Sequence, residues 1–218
     1  MQDGAIDSVV RILKRTVRAW QPTAVGQVAT SSRDPFRILI SCLLSLRTKD
    51  AVTEAASARL FAKADTPERL ARIPEITIAR TIYPVGFYRV KARVIRDVCR
   101  TLLRKYGGKV PDSINELVKL KGVGRKTANL VVGLGYGKPG ICVDTHVHRI
   151  TNRWGYVRTR TPEETERALR AKLPRRHWIV INDLLVSFGQ NLCKPISPLC
   201  SQCSLVPYCP RVGVTRSR

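Results

Sequence analysis

Four cysteines, Cys193, Cys200, Cys203 and Cys209, follow the spacing C-x6-C-x2-C-x5-C near the carboxyl end of the 218-residue chain. Thiols this close imply a metal site rather than free thiols, because thiolates are soft ligands for zinc and for iron–sulfur centres. Zinc sites of four cysteines usually present two CxxC pairs across a longer loop, and only one such pair stands here. Zinc remains the generic alternative on the residues alone. The other three cysteines, Cys42, Cys99 and Cys142, lie singly in apolar surroundings and read as buried small hydrophobes. An odd total of seven argues against a disulfide framework.

A second centre is the stretch INELVKLKGVGRKTANLVVGLGYG, residues 114–137. A helix ends in Lys121-Gly122-Val123-Gly124 and another starts at Arg125 or Lys126. Two glycines two apart permit a tight turn with positive φ and let a ligand approach the backbone. The second helix then points unpaired N–H groups outward, a ready seat for a phosphate. This is the helix-hairpin-helix pattern, about residues 114–134, which grips DNA backbone without reading sequence. Lys121, Gly122, Val123, Gly124 and Arg125 are its expected contacts. A lone GxG would suit an ordinary helix–helix turn, but GVGRKTAN followed by VDTH does not. In that second segment, ICVDTHVHRI, Asp144 reads as a helix cap. His146 and His148 share helical spacing and read as packing or phosphate neighbours rather than catalysts.

The elements that must position these residues are helices. Asp34-Pro35 is an N-cap with proline at the first helical position, opening FRILISCLLSL, which is apolar on almost every side and therefore central. Asp65 or Thr66 with Pro67 opens another. Thr161-Pro162-Glu163-Glu164 is a capping box. Gly107-Gly108 ends a basic helix that begins near Tyr88, and Asp112 or Ser113 caps the next. About ten helices on short loops predict an all-α architecture, with no internal repeat. The last residues, VGVTRSR, read as a loose basic tail.

Thirty-nine basic residues against sixteen acidic ones give a net charge of +23. Such a chain favours a polyanion, since neutralising phosphates releases condensed counterions. The longest apolar stretch, residues 38–46, is too short to span a bilayer, and no signal peptide opens the chain. A soluble cytoplasmic protein without membrane contact is expected.

The motifs LLS and TKD at 43–50, GFYRVKA at 86–92, GVGRKTAN at 122–129, VDTH at 143–146 and the terminal cysteines occur in this order over residues 35–209. Together they resemble the endonuclease III family, within the helix-hairpin-helix glycosylases. The resemblance implies a bifunctional DNA glycosylase and AP lyase working at the nucleoid. Its substrates would be double-stranded DNA holding oxidised or ring-saturated pyrimidines, and abasic sites. It implies Lys126 as the nucleophile and Asp144 as the essential carboxylate, where the residues alone leave a phosphate-binding lysine and a helix cap. It further implies a 4Fe–4S cluster on the four terminal cysteines, with Lys194 in the cluster loop (193–209) near a phosphate. The implied form is a two-lobed monomer. Residues 28–138 would make a helical barrel and residues 1–27 with 139–218 a cluster domain, with the DNA cleft between.

Three positions depart from the family pattern. Arg47 stands where glutamine is common in the segment that enters the duplex, Phe87 where leucine is common, and Lys121 where proline usually precedes GVG. Phe87 still suits a stacking wedge, and Arg47 suits either the orphan base or a phosphate. Base preference is what these changes bear on. A monofunctional relative excising mismatched adenine or thymine would lack Lys126. A non-catalytic iron–sulfur DNA-binding or redox protein would have no need of both Lys126 and Asp144.

Overall fold

The computed structural model describes residue 1 and residues 3–218, and among these no strand occurs. Two compact units form, each with its own apolar core. The first comprises residues 1–23 and 139–218, and the second comprises residues 24–138. The division falls at the first residue of a helix, Ala24, whereas residue 28 lies inside that helix.

The helix α1 (Ile6–Val17) belongs to the first unit and buries one stripe of Ile6, Val9, Val10 and Leu13. This is the spacing of a single helix face, and each such side chain contributes about 1.5–3 kcal/mol when fully buried. The second unit then runs through α2 (Ala24–Ser32), α3 (Pro35–Ser45), α4 (Asp50–Lys63), α5 (Pro67–Arg72), α6 (Glu75–Ile82), α7 (Tyr88–Tyr106), α8 (Ile114–Leu117) and α9 (Arg125–Leu130). The chain returns to the first unit with α10 (Thr145–Arg153), α11 (Pro162–Lys172) and α12 (Ile181–Asn191).

Helix α3 is the centre of the second unit. Asp34 Oδ1 accepts the Phe36 N–H at 2.8 Å with Pro35 at the first position. Phe36 and residues 38–44 are all buried. Thr66 rather than Asp65 caps α5. Asp65 instead receives Arg37 and Arg69, each at 3.0 Å. Helix α7 stops at Gly107, with the Gly108 N–H returning to Leu102 O at 3.0 Å. Ser113 takes the cap position of α8 without a side-chain hydrogen bond, and Asp112 pairs with Lys138 at 2.6 Å.

In the first unit Thr161 accepts the Glu164 N–H at 3.1 Å, while Glu164 Oε2 accepts the N–H of Arg160 at 2.9 Å. The returning carboxylate thus reaches one residue beyond the cap itself. The N-terminal segment is tied in by charge. The Met1 amino group donates to Trp154 O at 2.8 Å, Lys172 meets Asp3 at 2.7 Å, and Asp7 receives both Arg176 and His177. The C-terminal tail is not loose. Arg218 N–H donates to Pro198 O and Ser201 N–H to Arg218 O, both at 2.9 Å, and Val212 N–H donates to Arg153 O at 3.0 Å. Backbone groups of the loops it wraps supply partners that its own basic side chains did not advertise.

Candidate nucleic-acid interface and cysteine centre

Helix α8 ends at Leu117, four residues before Lys121, and single turns carry the chain to the hairpin through Leu120 N–H to Leu117 O and Val123 N–H to Leu120 O. Gly122 has φ +77, and a Cβ there would lie 2.8 Å from Val94 Cγ1, so the position requires glycine on both counts. Gly124 has φ −90 and ψ 173, an extended conformation open to any residue. Only the first glycine therefore makes the turn. The space over Gly124 is open to 4 Å, and the helix's own hydrogen bonding starts with Ala128 N–H on Gly124 O at 2.9 Å. The amides before it face outward at the positive end of α9.

Val123 is buried and locks the hairpin to the core, whereas Lys121, Arg125 and Lys126 are exposed. Lys121 donates to Asp97 on α7 at 2.8 Å. The Lys126 charge is felt by Cys42 on α3, whose thiol burial pushes up to about 12 against that pull. Lys126 thus stands at the solvent edge of the central helix, on the first turn after the hairpin.

Arg47 follows the end of α3 and Phe87 precedes α7. The fold brings them together: the Arg47 guanidinium lies 5.0 Å from the centre of the Phe87 ring. Both are exposed, and both adopt the left-handed backbone region, with φ 55 and 58. Lys91, quoted in the sequence only as part of GFYRVKA, lies beneath this pair. It is buried, and burial pulls it down to about 8. The signal was available, because Lys91, Ile95, Val98 and Leu102 follow the helical spacing of a buried stripe.

Asp144 caps α10, its Oδ1 accepting the N–H groups of His146 and Val147, both at 2.9 Å. The carboxylate is half-buried and fixed in direction. His148 Nδ1 lies 2.7 Å from Thr165 Oγ1, within a packed group that includes Asn152 and Thr159. His146 Nδ1 lies 3.1 Å from Arg149 Nη2, over Gly189.

All four cysteines of the terminal cluster line one cavity, together with Arg153, Arg211 and Val214. Burial raises the Cys203 thiol to about 11, with Cys193, Cys209 and Cys200 adding to the rise, and burial raises Cys209 as well. Among the described residues no three His, Cys, Asp or Glu side chains converge as one metal ion would need. Four thiol donors around one cavity are the ligand set that a 4Fe–4S cluster takes, and a four-cysteine zinc site takes the same set. Arg153 is buried here and donates to Cys193 Sγ at 3.3 Å, Lys194 O at 2.7 Å and Pro195 O at 2.6 Å. Arg149 adds a bond to Cys193 O at 2.9 Å. Neither arginine, nor the tail residue Val214, was legible as part of this centre. Half-buried Lys194 sits on the loop they hold, where Ile196 is 86% exposed.

The profile of HhH-GPD superfamily base excision DNA repair proteins matches residues 40–175. Endonuclease III of Thermotoga maritima is 53% identical over 176 residues, covering 81% of this chain and 83% of its own. Among solved structures, a non-covalent endonuclease III–DNA complex superposes with a TM-score of 0.84 at 34% identity, covering 97% of this chain and 96% of that one. A trapped endonuclease III–DNA covalent intermediate gives the same TM-score at 35% identity, covering 97% of each chain. The chain belongs to the endonuclease III family of the HhH-GPD superfamily.

Proposed function

We infer that this protein is a base excision repair DNA glycosylase with an attached AP lyase activity, using Lys126 as nucleophile and Asp144 as its carboxylate partner. One observation carries the assignment: an exposed lysine on the first turn after the GVG hairpin, in a chain 53% identical to an endonuclease III. Its substrates are double-stranded DNA with oxidised or ring-saturated pyrimidines, and abasic sites. It acts as a monomer in the cytoplasm, on the nucleoid. Among the described residues no helix is long and apolar enough to cross a membrane.

The uncharged Lys126 Nζ attacks the sugar C1′, and the C1′–N bond to the base breaks with its electron pair leaving on the base, which takes up a proton. Cation character develops on the sugar as that bond stretches. To the Asp144 carboxylate, held by two amides, we assign electrostatic opposition to that charge and assistance to the proton transfers that accompany it. Opening of the sugar ring leaves an imine between Nζ and C1′. Loss of a C2′ proton then expels the 3′ phosphate, and hydrolysis of the imine returns the lysine. Gly122, Gly124 and the α9 amides hold backbone phosphate, with Lys121 and Arg125 adding charge. Arg47 and Phe87 enter the duplex where the base leaves it.

Cys193, Cys200, Cys203 and Cys209 would hold a 4Fe–4S cluster, which would supply iron–sulfur bonds closing the loop, and Lys194 on that loop would meet a phosphate. Metal analysis of anaerobically purified protein checks this: iron is expected, and stoichiometric zinc would refute it. The enzymatic assignment is tested by borohydride trapping on duplexes carrying different lesions. Wild-type protein should form a covalent adduct and Lys126→Gln should form none.

A further inference from the structure

Lys91 lies on the buried stripe of α7 and is 7% exposed. A buried cation needs partners, and here three acceptors surround it: Leu44 O at 2.7 Å, Leu46 O at 2.5 Å and Thr48 Oγ1 at 3.1 Å. The two carbonyls belong to the end of α3, where the helix has no donors of its own left and its dipole is negative. The ammonium therefore caps α3 from below, in place of solvent.

Thr48 is the joint between two segments. Its Oγ1 accepts from Lys91 and also from the Gly86 N–H at 3.2 Å, and it donates to Leu46 O at 3.3 Å. A Cβ on Gly86 would stand 2.7 Å from Arg47 O, so these backbones touch. On the outer side of the same two segments stand Arg47 and Phe87, both non-glycine residues at positive φ. Such conformations are strained for a residue with a Cβ and persist only where surrounding contacts impose them.

We propose that Lys91 is the positioning residue for the pair that enters the duplex: from beneath, its ammonium straps residues 46–48 to the turn at 86–88. This holds Arg47 and Phe87 in the strained backbone conformation that stacks their side chains. It rests on the reading of those two residues as the inserting pair.

The test is a double-mutant cycle between Lys91→Met and Phe87→Ala, read by single-turnover excision of a ring-saturated pyrimidine. A 2-aminopurine beside the lesion reports unstacking, and cleavage of a preformed abasic site serves as the second readout. Lys91→Met should slow excision about tenfold or more, as small misplacements of positioning groups do, and weaken the 2-aminopurine signal. Cleavage at the abasic site should change far less. In the Phe87→Ala background Lys91→Met should cost little more, since residues acting as one unit are not additive. Should Lys91→Met fail to fold, Thr48→Val carries the same cycle with a smaller loss, and Thr48→Ser restores the rate. Additive costs, or equal losses on both substrates, would overturn the proposal and leave the function intact. A Phe87→Ala protein that excises normally would overturn the inserting pair and this proposal together. Wild-type protein that never traps on DNA would instead sink the enzymatic reading itself.

Discussion

The two units hold their functional residues in different ways. In the second, the side chains that would meet DNA are exposed, and their backbone is held from within: Gly122 and Val123 for the hairpin, Lys91 and Thr48 for Arg47 and Phe87. In the first, the cysteines are half-buried against the core, and Arg153 and Arg149 donate to the loop that carries them. A group met from outside needs a rigid support that does not depend on it. A group enclosed within the fold shares its contacts with the core, so binding and folding become one equilibrium. Function should therefore separate from stability in the second unit and stay coupled to it in the first.

The largest effect should fall on Lys126→Gln. Trapping and strand cleavage should disappear, while melting temperature and duplex affinity stay close to wild type, because the side chain is exposed and glutamine keeps length and polarity. A melt that drops with activity would break the contrast at its strongest point.

Asp144 probes the other side. Asp144→Asn should slow base release greatly and spare more of the cleavage at a preformed abasic site, with little change in melting, since asparagine caps comparably. Asp144→Ala should add a loss of about 1 kcal/mol, because the His146 and Val147 amides lose their acceptor. Equal stability of the two variants would show that the cap does not matter.

Arg153→Met should couple fold and metal. The Lys194 and Pro195 carbonyls lose their donor, at about 0.5–1.5 kcal/mol for each hydrogen bond, since solvent reaches this loop. Iron content and melting temperature should fall together. Iron retained at the wild-type level in a destabilised protein would separate what the comparison joins.

Lys121→Ala should lower the slope of log affinity against log salt by about one, if its ammonium exchanges Asp97 for a phosphate. The smallest effect concerns Asp7. Hydrogen bonds from Arg176 and then His177 hold its carboxyl at about 2, below the ordinary 3.8. A carboxyl lowered by folding stabilises the folded state above its ordinary value, and that contribution disappears as pH falls from 3.8 through about 2. Asp7→Asn should flatten the melting temperature over that window alone.

Local chemistry accounts for what was legible from residues alone. Helix caps at Asp34, Thr66 and Thr161 bond to amides two or three residues away, so they are written in adjacent letters. The four cysteines, the hairpin lysine and Asp144 announced themselves by spacing and by likeness to a family. Those signals also placed Arg47 and Phe87 as candidates, forty residues apart. What joins that pair is tertiary: Lys91 reaches α3 across 45 and 47 residues, and Thr48 reaches Gly86 across 38. Likewise Arg153 meets the cysteine loop across some forty residues, and the tail closes on it through backbone groups that carry no sequence signature. Periodicity marks a position as buried. It does not say that a lysine there will find carbonyls at a helix end, because that depends on how the helices pack.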